Sequence, residues 1–149
     1  MIYGQAGVPT KGWMIDEVID RGKGLEEACQ CCEQRQVRYA HRITHPDYPE
    51  PFLVGCICAE ALVQNYNGTA AQNAVVNRSK RRKNLLAKLK TASHPHLNGD
   101  SVKVVETGPS IFRSSVVRWG HYAITTPFES GPCLSRDLAL MAVVEWAIP

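Results

Sequence analysis

The sequence predicts an α+β fold: a hairpin pinned by cysteines, then a basic helix, then a small antiparallel sheet closed by a C-terminal helix. Three observations lead there. Five of the six cysteines fall between positions 29 and 58. An acid-free stretch rich in Lys and Arg follows, and after it come short β-branched runs and a helix-forming tail.

At 149 residues the chain has room for about one domain and a single modest core. Apolar residues make up 44% and charged residues 21%, close to globular norms. No apolar run approaches the roughly 18 residues of a membrane span. Met1 to Gln5 carries no basic stretch leading into an apolar core, so no secretory signal is expected and the cytoplasm is the default compartment.

Residues 1–24 mix Gly, Pro and Lys around Trp13 to Ile19, a turn or two of helix at most, and read as an N-terminal arm. Residues 25–149 are expected to form one small domain. Within it, Val37, Tyr39, His41 and Ile43 alternate with Arg38, Ala40 and Arg42, the period of a half-buried strand. Three prolines in His45 to Pro51 predict a loop, Phe52-Leu53-Val54 a return strand, and Gly55 a tight turn.

Ala59 to Tyr66 suits a helix, with Asn67-Gly68 as its stop. Thr69 can cap a second helix running to about Lys90, polar all round between Asn77 and Asn84. A β-β-α unit over about 101–149 then follows, with strands around Val102 to Glu106 and Val116 to Trp119 and a further strand from His121 to Thr125. Ser135 is the expected N-cap of the last helix, with Leu138, Met141, Ala142 and Trp146 as its buried positions.

Cys29-x2-Cys32 and Cys56-x-Cys58 flank 23 residues that contain the hairpin. The cytosol keeps thiols reduced, so this clustering suits a metal better than a disulfide framework. Tetrahedral zinc takes four ligands converging on one point, and thiolates at about 2.3 Å do this in structural sites. The hairpin returns the chain so that the second pair closes on the first, and that pair sits where a helix starts, which favours thiolates. Zinc held by Cys29, Cys32, Cys56 and Cys58 is the expected cofactor. A rival set would use His41-x3-His45, but the eight residues from Cys32 to His41 fall short of the roughly 12 of the two-cysteine, two-histidine class. A mixed set with one histidine stays open, and Cys31 is the spare thiol or a substitute for Cys32. Cys133 reads as a small core residue.

The string C-x2-C, Val37-Arg38-Tyr39-Ala40-His41, His45-Pro46-Asp47-Tyr48 and Val54-Gly55-Cys56-Ile57-Cys58-Ala59 resembles a group of uncharacterised small proteins of bacteria and their phages or mobile elements. Its members follow the cysteines with an arginine-rich helix, as Arg78 to Lys83 does here. The resemblance covers residues 29–90 and implies a zinc-binding module, and the group carries no established activity.

Catalytic zinc keeps one coordination position open with a Glu nearby. Four thiolates close the site, and neither H-E-x-x-H nor H-x-E followed by P-C-x-x-C occurs. Glu60 reads as a helix N-terminal acid, His94 and His96 as a solvent-facing pair, and His121 as a core or hydrogen-bonded histidine. No glycine pattern fits a phosphate loop. A non-enzymatic protein is expected, with no small-molecule substrate.

Residues 1–60 hold six Lys/Arg against nine acids, residues 61–99 seven against none, and residues 100–149 four against five. From Arg78 to Lys90, seven of thirteen residues are basic. Such a helix can neutralise phosphates of DNA or RNA, with Arg78, Lys80, Arg81, Arg82 and Lys83 as the contact residues. This suggests an accessory or regulatory factor of a phage or mobile element. The alternative is a protein-binding adaptor or inhibitor, for instance one that blocks a host defence complex, using the acidic first half or the Pro46–Pro51 loop. Trp119 and Tyr122 are most simply core residues of the β-β-α unit, although beside Arg118 they could stack bases.

Overall fold

Where the sequence predicts a helical turn over Trp13 to Ile19, the chain forms a strand from Met14 to Asp20. In the computed structural model, which describes residues 4–149, β1 (Met14–Asp20) pairs antiparallel with β4 (Tyr39–His45). The reason lies in charge as much as in hydropathy. The acids of β1 meet the arginines of β4 and its approach: Asp20 takes Arg38 at 2.8 Å, and Glu17 and Asp16 take Arg42 at 3.3 and 3.4 Å. Such cross-strand pairs select the strand pairing that aligns them. The Arg38 guanidinium holds the Asp20 carboxyl below its ordinary range.

β4 is the central strand of a three-stranded sheet ordered β1-β4-β5, with β5 spanning Tyr48–Val54. The proline-rich segment is therefore mostly strand, with only Pro46 and Asp47 left as the turn. Pro49 and Pro51 are tolerated because β5 is an edge strand, whose outer backbone needs no ladder donor. As the central strand, β4 is covered more fully than a half-buried strand would be: Ala40, His41 and Ile43 are all buried.

The chain divides into two compact units, Met1–Asn77 and Arg78–Pro149, where the sequence suggests one domain from residue 25 onward. In the first, Trp13 lies stacked on Phe52 with centroids 4.7 Å apart, over a core that includes Ile43, Val54, Leu62 and the buried Cys29 and Cys31. A small ladder of β2 (Glu27–Ala28) and β3 (Gln36–Val37) frames the first cysteine pair. Helix α1 is Cys56–Leu62, three residues earlier than Ala59, so both cysteines of the second pair lie in its first turn. Helix α2 runs Gly68–Thr91. Its N-cap is Asn67, whose Oδ1 accepts the Ala70 N–H at 2.8 Å, and not Thr69. Glu60 accepts the Thr69 N–H at 2.9 Å, binding α1 to the start of α2.

The second unit is a four-stranded antiparallel sheet, β6 (His96–Leu97), β7 (Asp100–Gly108), β8 (Ile111–Trp119) and β9 (Ile124–Glu129), in sequence order. Helix α3 (Arg136–Ala147) packs on it, and the Ser135 Oγ caps it by accepting the Leu138 N–H at 3.1 Å. The buried stripe is Ala139, Leu140, Val143 and Val144. Leu138 and Trp146 are instead exposed, because α3 turns the face of Ala139, Leu140, Val143 and Val144 inward. Trp146 sits at the rim, stacked on Phe128 at 5.3 Å. No helix among the described residues is long and apolar enough to cross a membrane.

Candidate metal centre and cationic helix

Cys29 follows directly on β2 and opens a turn that closes through Cys29 N–H to Arg35 C=O (2.9 Å) and Glu33 N–H to Cys29 C=O (2.7 Å). Glu33 turns the corner with φ of 58°, a left-handed conformation more natural to glycine. The turn throws Cys29 and Cys32 to one side. Cys58, from α1, meets them there, and the three Sγ atoms lie within 4.8 Å of one another.

That spacing fits a metal. Tetrahedral zinc at about 2.3 Å from each sulfur places thiolates about 3.8 Å apart. The local field supports it as well. Burial opposes ionisation of Cys29, but the N–H groups of Cys32, Gly55 and Cys31 outweigh it and hold the thiol below its ordinary pKa. The Gly55 N–H lies 3.3 Å from its sulfur. Cys58 is pushed up, first by burial and then by the neighbouring Cys29. Three crowded sulfurs, one of them held below its ordinary pKa, suit a bound cation. The three could hold a metal ion.

Cys56 lies outside this group. Residues two apart on a helix project about 200° apart, so Cys56 and Cys58 do not point to one place. Cys56 nonetheless lines the same cavity of about 520 Å³ as Cys29, Cys32 and Cys58. Cys31 belongs to the buried core beside Cys29, and burial raises its pKa. Cys133 lies in the second unit, only partly buried.

The histidines are engaged elsewhere. His45 Nδ1 accepts the Asp47 N–H at 3.0 Å, and its Nε2 donates to the Lys11 carbonyl at 3.0 Å, so neither nitrogen is free for a metal. His41 is fully buried, with Nδ1 2.9 Å from the Tyr66 hydroxyl and Nε2 without a hydrogen-bond partner. The sequence presents His41 as a candidate ligand in phase with Val37, Tyr39 and Ile43, and the central place of β4 in its sheet completes the burial. Burial lowers its pKa against the opposing influence of Gln72 and Glu60.

A proton is therefore bound more readily by unfolded His41 than by folded His41. Stability conferred by the neutral ring is complete above about pH 6.5 and is lost as pH falls below it. Unfolding of the metal-loaded chain between pH 7.5 and 5.5 is expected to show a steeper acid loss than the His41→Asn variant, by up to about 1.4 kcal/mol per pH unit. Thiolate protonation is common to both proteins and cancels in the difference.

On α2 the cations divide. Arg78, Lys80, Arg81 and Lys83 are exposed. Arg82 turns inward, its Nε donating to the Ile148 carbonyl at 2.8 Å, where it caps the C-terminal end of α3. Lys90 is paired with Asp137 at 2.6 Å. The middle of α2 is polar all round, and one of its polar side chains, Arg82, turns to the face that Leu85, Leu86 and Leu89 continue.

Trp119 and Tyr122, expected in the core, are exposed, and so is His121. The reason is topological. Trp119 and Ile124 are the last pair of the β8–β9 ladder, so residues 120–123 form the tip of the hairpin at the end of the sheet. Compared with known protein families, curated proteins and solved structures, the chain matches none.

Proposed function

We propose that this chain is a non-enzymatic, zinc-stapled protein that contacts nucleic acid through α2. The observation that carries the reading is the state of the cations. Arg78, Lys80, Arg81 and Lys83 stand exposed without an ion-pair partner among the described residues, in a stretch of 39 residues with no acid. Lys80, Arg81, Lys83 and Lys88 spread over roughly 160° of the helix wheel at about 100° per residue, a face broad enough to follow a phosphate backbone. Zinc is the metal that best suits a cluster of thiolates without redox demands, with Cys29, Cys32 and Cys58 as its ligands and Cys56 outside the group. The association with a phage or mobile element rests on the resemblance of residues 29–90.

The adaptor alternative loses much of its ground. Its loop is largely strand β5, and several acids of the first half are already engaged by Arg21, Arg38 and Arg42 of the same unit.

The test is binding of the zinc-loaded chain to DNA and RNA over a range of salt. Log affinity is expected to fall linearly with log salt, and Arg81→Ala/Lys83→Ala to flatten the slope by about 2, at roughly 0.9 for each phosphate no longer neutralised. Arg82→Ala is expected to leave affinity alone and to lower stability by about 1 kcal/mol, through the missing bond to Ile148. Absence of binding to any DNA or RNA at low salt, with nuclease-resistant capture of a specific protein, would favour the adaptor.

A further inference from the structure

The last pair of the β8–β9 ladder is Trp119 with Ile124, and the Gly120 N–H closes the tip onto the Ala123 carbonyl at 3.0 Å. Trp119 is 66% exposed, Ile124 is 59% exposed and Tyr122 is wholly in solvent. Two large rings and a branched aliphatic lie mostly in water, and clustered exposure of this kind marks a contact surface. No acid occurs from Arg118 to Phe128.

The register places this tip at the same end of the sheet as a cationic cleft. Ser101 pairs with Val117, so Trp119 leaves the sheet at the end where the β6–β7 turn lies, and Asp100 there clamps Arg118 at 2.8 Å. Leu97 and Asn98 of that turn wall a cleft of about 320 Å³ also lined by Arg81, Asn84 and Lys88, with no acid in its wall. Cations and amide groups that suit phosphate therefore share one end of the sheet with rings that suit bases. The unit as a whole carries eleven Lys/Arg against five acids.

We propose that the ligand of this unit is single-stranded nucleic acid, its bases stacking on Trp119 and Tyr122 and its backbone entering the cleft at Arg81 and Lys88; this rests on the nucleic-acid reading of α2. A duplex engages the cations but not the rings, because its bases are already stacked on one another. Single strands offer free base faces to any ring, which makes the contact tolerant of sequence.

The test compares labelled oligothymidylate with a blunt duplex of equal length on the zinc-loaded full chain. The single strand is expected to bind at least about 10-fold tighter, as stacking of even one base would give, and to quench the emission of Trp119. Trp119→Ala/Tyr122→Ala is expected to lose that preference and leave duplex binding unchanged. Trp119→Phe should keep the preference and lose the quenching. Arg81→Ala/Lys88→Ala should weaken both ligands. Equal affinity of the native chain for both forms, or full single-strand affinity in the double aromatic variant, overturns the stacking site and leaves the nucleic-acid reading standing. Failure of the native chain to bind either form overturns both.

Discussion

Cys58→Ser is expected to empty the metal site and unfold the first unit. Cys58 is the sulfur that α1 contributes to the group formed with Cys29 and Cys32, so its loss leaves only the two thiols of the turn. Structural zinc supplies an apparent 10–16 kcal/mol in small zinc domains, roughly, while a whole domain is stable by only about 5–15 kcal/mol. Removing the metal therefore removes most or all of the margin. Metal content of the purified protein and hydrogen exchange of β4 report the two halves of the effect. Cys29→Ser should behave alike, while Cys56→Ser and Cys31→Ser, both outside the group of three, should keep the metal. A Cys58→Ser protein that is folded and metal-free would show that the first unit stands on its core alone.

Leu140→Ala should cost the second unit about 2–5 kcal/mol. Leu140 is among the largest fully buried side chains, set against Val102, Val116 and Leu89. Leu138→Ala, two residues earlier and exposed, should stay within about 0.5 kcal/mol of the parent. Denaturant midpoints of the two variants thus read the rotational phase of α3 directly. Metal content should not change in either, since all three clustered cysteines belong to the first unit. A costly Leu138→Ala with a cheap Leu140→Ala would mean that α3 is turned by about 100° per residue of error.

The parts of this architecture that are legible in the sequence are those written in local chemistry. The cysteine spacing announces a hairpin between two pairs, and the structure has one between Cys32 and Cys56. The long helix is expected over about 69–90 and spans Gly68–Thr91, because its alanines, leucines and lysines favour helix without help from elsewhere. What fails to show is set by distant partners. β1 looks like an arm because its acids mask a strand that only Arg38 and Arg42 reveal. The prolines of β5 spell a loop because an edge position cannot be recognised before the sheet is known. Arg82 looks like a surface cation because its acceptor lies 66 residues away. The tip rings look like core because aromatic residues in strands usually are, and the length of the β8–β9 hairpin is not encoded near them.

Gly68 points to an order of events in folding. A Cβ there would stand 2.6 Å from the Cys56 carbonyl oxygen, so α2 begins in direct contact with the first turn of α1. Starting a helix is its unfavourable step, and extending it is nearly free once one turn exists. The closely approached Cys56 backbone, Glu60 on the Thr69 N–H and Asn67 on the Ala70 N–H together supply that first turn. On the proposed reading, a metal held by Cys58 would order α1, and α1 would then seed the 24-residue helix along which the cations are displayed. On that reading, withdrawing the metal would remove the nucleus of the helix before any of its own residues has been altered.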